Sequence, residues 1–123
     1  MEKFKTLSVR VETPDGTMYV HVLENDKGLP CQVNINIGKA GTNLAAWADA
    51  CARLVSRMMP NIHGAIEELS GITSSGFRRM VKGDVIRSGP AGIAYALLKY
   101  NKEKYTENKP KRRDGAASVG DYE

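Results

Sequence analysis

The stretch from Cys31 to Met59 constrains this chain most: CQVNINI, then GKAGTN, then LAAWADACARLVSRMM. Val33, Ile35 and Ile37 alternate with Gln32, Asn34 and Asn36, the two-residue period of a strand with one buried face and one face of carboxamides. After the glycine-containing turn the period changes. Leu44, Trp47, Ala48, Cys51, Leu54, Val55 and Met58 recur at i, i+3, i+4 and i+7, which predicts a helix of about four to five turns with these residues on its inward stripe. Gly38 and Gly41 admit backbone angles closed to other residues, Lys39 is a fixed positive charge, and Thr42 is a good N-cap. Free amides at a helix start beside a lysine make a receptive place for an anion.

The rest of the chain arranges itself around that strand and helix. With 123 residues there is length for one domain with a real core. No apolar run approaches the roughly 20 residues that span a bilayer, and MEKFKTLSVR has no apolar stretch of signal-peptide type. The expectation is a cytoplasmic protein without membrane contact. Cys31 and Cys51 fall on or near apolar faces and read as inert core thiols; two cysteines make no zinc framework, and no cofactor is expected.

Residues 3 to 12 alternate with Leu7, Val9 and Val11 on one side, Thr13-Pro14-Asp15-Gly16 is a turn signal, and residues 17 to 24 return with Met18, Val20 and Val22 on the same face. Asn25-Asp26-Lys27-Gly28 turns the chain into the Cys31 strand. These segments predict a three-stranded antiparallel meander. Its second face carries Tyr19, His21, Gln32, Asn34 and Asn36 and reads either as a solvated surface or, since Tyr19 and Leu23 are apolar for free surface, as an interface. Pro60 ends the first helix, Asn61 caps a shorter one (IHGAIEELS) with Ile62, Ala65, Ile66 and Leu69 inward, and Gly71 stops it.

Residues 72 to 87 are less regular, with Gly83-Asp84 placed to turn a short hairpin. Arg78, Arg79, Lys82 and Arg87 beside Phe77 read either as a phosphate-holding loop with a stacking ring or as a solvated surface hairpin. Ser88 and Pro90 then open a third helix whose inner stripe is Ile93, Ala96, Leu97 and Tyr100. Should GKAGT and RSGPAG meet, one ligand spans both helix starts. From Thr106 onward the chain has no apolar periodicity, so the predicted organisation is one domain over residues 1–105 and a flexible basic tail over 106–123. The tail carries a basic run, Lys109, Lys111, Arg112 and Arg113, but has no interleaved aromatics to stack on bases, so nucleic acid is not the expected partner. The fold class is α+β: the meander, with the short hairpin as an addition, packed on two to three helices.

The MYVHV strand, the Gly28-Leu29-Pro30 turn, the GKAG turn with its alanine-rich helix, the short helix closing on Leu69-Ser70-Gly71-Ile72, and Ser88-Gly89-Pro90-Ala91-Gly92-Ile93-Ala94 together resemble the TSCPD domain over about residues 17–98. That domain occurs at the C-terminal end of adenosylcobalamin-dependent ribonucleotide reductases and as small stand-alone proteins. Where the family has its Thr-Ser-Cys-Pro-Asp-like segment, this chain has Arg87-Ser88-Gly89-Pro90-Ala91, with Gly89 at the cysteine position, and Thr73 stands where another cysteine often follows the short helix. No thiol-based metal or redox role carries over. The length leaves no room for the reductase's catalytic barrel or its cofactor domain.

The reading reached from residues and resemblance together is a non-catalytic binding protein for a phosphorylated nucleotide or nucleotide-derived signal. Its site is formed by Gly38, Lys39, Gly41, Thr42, Arg78, Arg79, Arg87, Ser88 and Gly89, and by analogy it is a phage-type sequestering protein. The other reading is a stand-alone ribonucleotide-reductase-related module that acts by protein contact on a reductase, or as a homo-oligomer through Tyr19 and Leu23. An enzyme would need Ser88, Thr42, His21 or Asp84 activated by neighbours that the sequence does not place, and none is expected.

Overall fold

A computed structural model of the chain describes residues 5–39, 41–74, 79–81 and 84–108. Three antiparallel strands, β1 (Lys5–Thr13), β2 (Gly16–Glu24) and β3 (Pro30–Ile37), form a sheet in that order. The alternation read from the sequence sets the register: Val9 pairs with Val20 and Val20 with Ile35, while Ser8, His21 and Asn34 line up on the opposite face. Val9, Val11, Met18, Val20, Val22, Val33, Ile35 and Ile37 are all buried on one side. The β1–β2 turn closes on buried Thr13, whose Oγ1 donates to Gly16 O (2.8 Å) and accepts from Asp15 N (3.1 Å), with Gly16 at φ +123°.

Helices α1 (Asn43–Met58), α2 (Ile62–Ser70) and α3 (Gly89–Asn108) gather on the buried face, and a small hairpin of β4 (Arg79–Val81) and β5 (Asp84–Ile86) precedes α3. The arrangement is α+β. Helix α1 packs on β3, α3 on β1 and β2, and α2 on α3. The outer edge of β3 is closed by α1 itself. Ser56 Oγ accepts from Val33 N at 2.8 Å, and it lies 3.1 Å from Val33 O and 2.7 Å from Ala52 O, both within donating distance. An open strand edge is an invitation to pair with another chain, and one serine removes it at this point.

Helix α3 approaches the sheet closely at Gly92. A Cβ placed on Gly92 would lie 2.8 Å from Thr13 Cγ2 and 3.0 Å from Met18 Cε, so only glycine allows the approach. Beyond it Ile93, Ala96, Leu97 and Tyr100 are buried as their spacing predicts, and the Tyr100 hydroxyl donates to the carboxylate of Glu24, itself buried.

The inward stripe of α1 is narrower than expected. Ala48 and Val55 are buried and Leu44, Cys51 and Met58 partly so, but Trp47 and Leu54 are 73% and 70% exposed. Three strands about 4.8 Å apart give a floor for only two helices about 8–10 Å apart. α1 takes the β3 side and α3 the other, so the flank of α1 that bears Trp47 and Leu54 hangs over a gap. The third helix runs on to Asn108, while residues 109–123, the greater part of the expected tail, lie outside the described residues, as do Gly83 of the expected hairpin turn and Phe77.

Gly92→Ala should lower unfolding free energy by about 1–3 kcal/mol in chemical denaturation, because buried Thr13 and Met18 must give way. Gly71→Ala, where nothing lies within 4 Å of the added carbon, should change it far less. Ser56→Ala leaves Val33 N without its partner and should cost about 1–2 kcal/mol by the same measurement.

Candidate functional site

Helix α1 starts as predicted. Thr42 is its N-cap, with Oγ1 accepting from Ala45 N at 3.2 Å and donating to Lys39 O at 2.7 Å. Gly38 and Gly41 both have positive φ, +71° and +86°, which lets the chain leave β3 and turn back over the sheet within a few residues. Gly38, Lys39, Gly41 and Thr42 are all exposed.

The start of α3 is different in kind. Ser88 is buried, its Oγ donating to Ile72 O at 2.6 Å and accepting from Ala91 N at 3.0 Å, while its carbonyl accepts from Gly92 N at 2.9 Å. Pro90 has no amide proton to offer. Gly89 is buried too, and a Cβ built on it would meet Asp15 Oδ2 at 3.3 Å. Ser88 thus fastens α3 to the segment after α2, and beside Gly89 a carboxylate stands where an anion would approach. The two helix starts do flank one groove of about 230 Å³, but Met18, Ile37, Leu44, Trp47, Cys51, Pro90 and Ile93 give it apolar walls.

A larger cleft, about 460 Å³, lies on the other side of α3 between that helix, α2 and β5. Arg87, Lys99 and Lys102 stand around it, and among the described residues no carboxylate lines it. Ala91, Ala94, Tyr95 and Leu98 of α3, with Ile66 and Ile86, provide its apolar surfaces, and Ser70 of α2 adds a hydroxyl. Arg87 leaves the core directly after buried Ile86, and its carbonyl is held by Ser74 N (3.2 Å) and Ser74 Oγ (3.1 Å), which fixes the point from which the guanidinium departs. Arg79 occupies the β4 position paired with Ile86; Arg78 lies outside the described residues.

Among the described residues, Arg87 is the one sequence-named site residue that lines this cleft; Tyr95, Lys99 and Lys102 were missed. Their signal was present in the spacing 91, 94, 95, 98, 99, 102, a second stripe on α3 beside the inner one. Three cations with no acid among the described lining residues sum to a positive field, and Arg87 brings a fork of donors that fits phosphate or carboxylate oxygens in pairs.

The outer sheet face holds a second polar set. His21 Nδ1 lies 2.7 Å from Ser8 Oγ and His21 Nε2 lies 3.3 Å from Asn36 Nδ2, so the ring links side chains of all three strands. Tyr19 is exposed and Leu23 half-buried on the same face. Among the described residues no group of three or more His, Cys, Asp or Glu is placed to hold a metal ion, and no helix is long and apolar enough to cross a membrane. Burial pushes the Cys51 thiol above its usual range, away from the reactive thiolate, and Cys31 Sγ donates to Leu23 O at 3.4 Å.

A family model described as the TSCPD domain matches residues 2–101 of the 123. No curated protein and no solved structure gives a significant match. The match takes in the whole sheet, α1, α2, the β4–β5 hairpin and α3 as far as the residue after Tyr100. The chain belongs to the TSCPD domain family.

Proposed function

We propose that this chain is a non-catalytic binding protein for a phosphorylated nucleotide or nucleotide-derived signal, held in the cleft between α2, β5 and α3. The observation that carries the reading is the cleft's lining: Arg87, Lys99 and Lys102, with no acid among the described lining residues, next to Tyr95 and an apolar floor. A phosphate needs charge-assisted donors, and a base needs a flat apolar wall; the lining offers both within a volume in the ordinary range for small-molecule sites. Lys39 and Thr42 stand at a separate, exposed helix start and give a secondary place for an anion.

The non-catalytic part rests on the side chains around the ligand. Among the described residues the cleft lining has no His, Asp, Glu or Cys, so a bound phosphate ester meets cations and a tyrosine there but no ordinary general base. A protein that holds such a molecule unchanged lowers its free concentration, which is the sequestering role a phage-type protein of this kind would play.

Membership in the TSCPD family favours a second reading, an accessory module that contacts a ribonucleotide reductase. Co-purification with a reductase, undisturbed by Arg87→Ala, would support that reading against the first.

Calorimetry against a panel of nucleoside mono-, di- and triphosphates and cyclic oligonucleotides should give a micromolar or tighter complex with at least one of them. The nucleotide should be recovered chemically unchanged, and no binding anywhere in the panel contradicts the proposal. Arg87→Ala and Lys99→Ala should each weaken binding about tenfold, some 1.4 kcal/mol, with the melting temperature nearly unchanged. Lys39→Ala should leave affinity close to that of the parent; the reverse pattern would put the ligand at the start of α1. Affinity should also fall as salt is raised, since the three cations are partly open to solvent.

A further inference from the structure

The flank of α1 that carries Trp47 and Leu54 is covered by none of the described residues, and both side chains are more than two-thirds exposed. They stand seven residues apart, two helical turns, with half-buried Cys51 between them, so they form one ridge along the helix. Directly beside the ridge runs the apolar groove between α1 and α3, floored by Met18 and Ile37 and walled on its far side by Pro90 and Ile93. One face therefore has both a projecting apolar ridge and an apolar hollow. Such a face is complementary to itself: a two-fold rotation lays the ridge of each copy against the hollow of the other and closes the assembly at two.

The charges at its ends give the orientation. Asp15 is exposed and lines the groove at its Gly89 end, near the first half of α1; Arg57 is exposed in the last turn of α1. Antiparallel α1 helices bring Leu54 and Arg57 of one copy over Leu44, Trp47 and Asp15 of the other, with apolar groups on apolar groups and each arginine beside a carboxylate. We propose that this face receives a second copy of the same chain, with the two α1 helices antiparallel. The pairing leaves the basic cleft open, because Ile93 faces the groove while Ala94 and Tyr95 face the cleft, and it is independent of what that cleft holds.

Sedimentation equilibrium of the full chain tests this, together with fluorescence of Trp47, the only tryptophan in the sequence. The expected result is a dimer in the micromolar range, with Trp47 emission moving to shorter wavelength as protein concentration rises. Leu54→Lys, a change at an exposed position that should leave the circular dichroism spectrum intact, should return the protein to monomer. Asp15→Arg and Arg57→Asp should each weaken association about tenfold, and the two together should restore most of it. A monomer at every concentration, a dimer indifferent to Leu54→Lys, or a double variant no better than the singles would overturn the proposal.

Discussion

The seating of α3 on the sheet is the constraint from which the rest follows. Three contacts fix it along its length: Ser88 hydrogen-bonded to Ile72 O at the start, Gly92 against Thr13 and Met18 one turn later, and Tyr100 against buried Glu24 further on. Each is specific in a different way, one by hydrogen bond, one by the absence of a side chain, one by pairing a hydroxyl with a carboxylate. A helix held at three points along one side has its rotation set. The positions that face away from the sheet, 94, 95, 98, 99 and 102, are then fixed as well, and they wall the cleft with α2 and β5.

That seating also divides the surface by polarity. On one side of α3 the groove toward α1 is apolar, with the carboxylate of Asp15 at its end; on the other the cleft is ringed by Arg87, Lys99 and Lys102. Anions are favoured on the second side and disfavoured on the first by like charge. The start of α3, read from sequence as a place for anions, has its amides committed to Ser88 and a carboxylate beside Gly89, so the helix is capped by its own chain. Ser88 and Gly89 are then structural, and the positive charge beside α3 comes from Arg87, which precedes them, and from Lys99 and Lys102 further along the helix.

Most of the fold was legible because two-residue and 3.6-residue periods are unambiguous here. The alternation of Val9 and Val11, Met18 to Val22, and Val33 to Ile37 reads the strand faces directly, and Thr42, Pro60, Asn61, Gly71 and Ser88 mark the helix ends where they are found. Trp47 and Leu54 went astray for a physical reason: a hydrophobic stripe says which side of a helix is apolar, not how wide a floor the sheet offers it. The site was less legible. Arg87 stood out beside a glycine and a helix start, but Tyr95, Lys99 and Lys102 lie within a helix already accounted for by its inner stripe, and their convergence with α2 and β5 is a property of packing. The contacts of His21 with Ser8, its register partner on β1, and with Asn36, diagonally placed on β3, were hidden likewise, since they depend on how three strands pair.

The account rests on the cleft beside α3 being where a nucleotide's phosphates are held. Titrating isotope-labelled protein with the tightest nucleotide found, and following backbone amide shifts by NMR, tests that most directly. The account predicts that the largest changes fall on Arg87, Ala91, Tyr95, Leu98 and Lys99, with the Lys39–Asn43 turn nearly still. Changes centred on that turn or on the outer sheet face, with α3 unmoved, would contradict it.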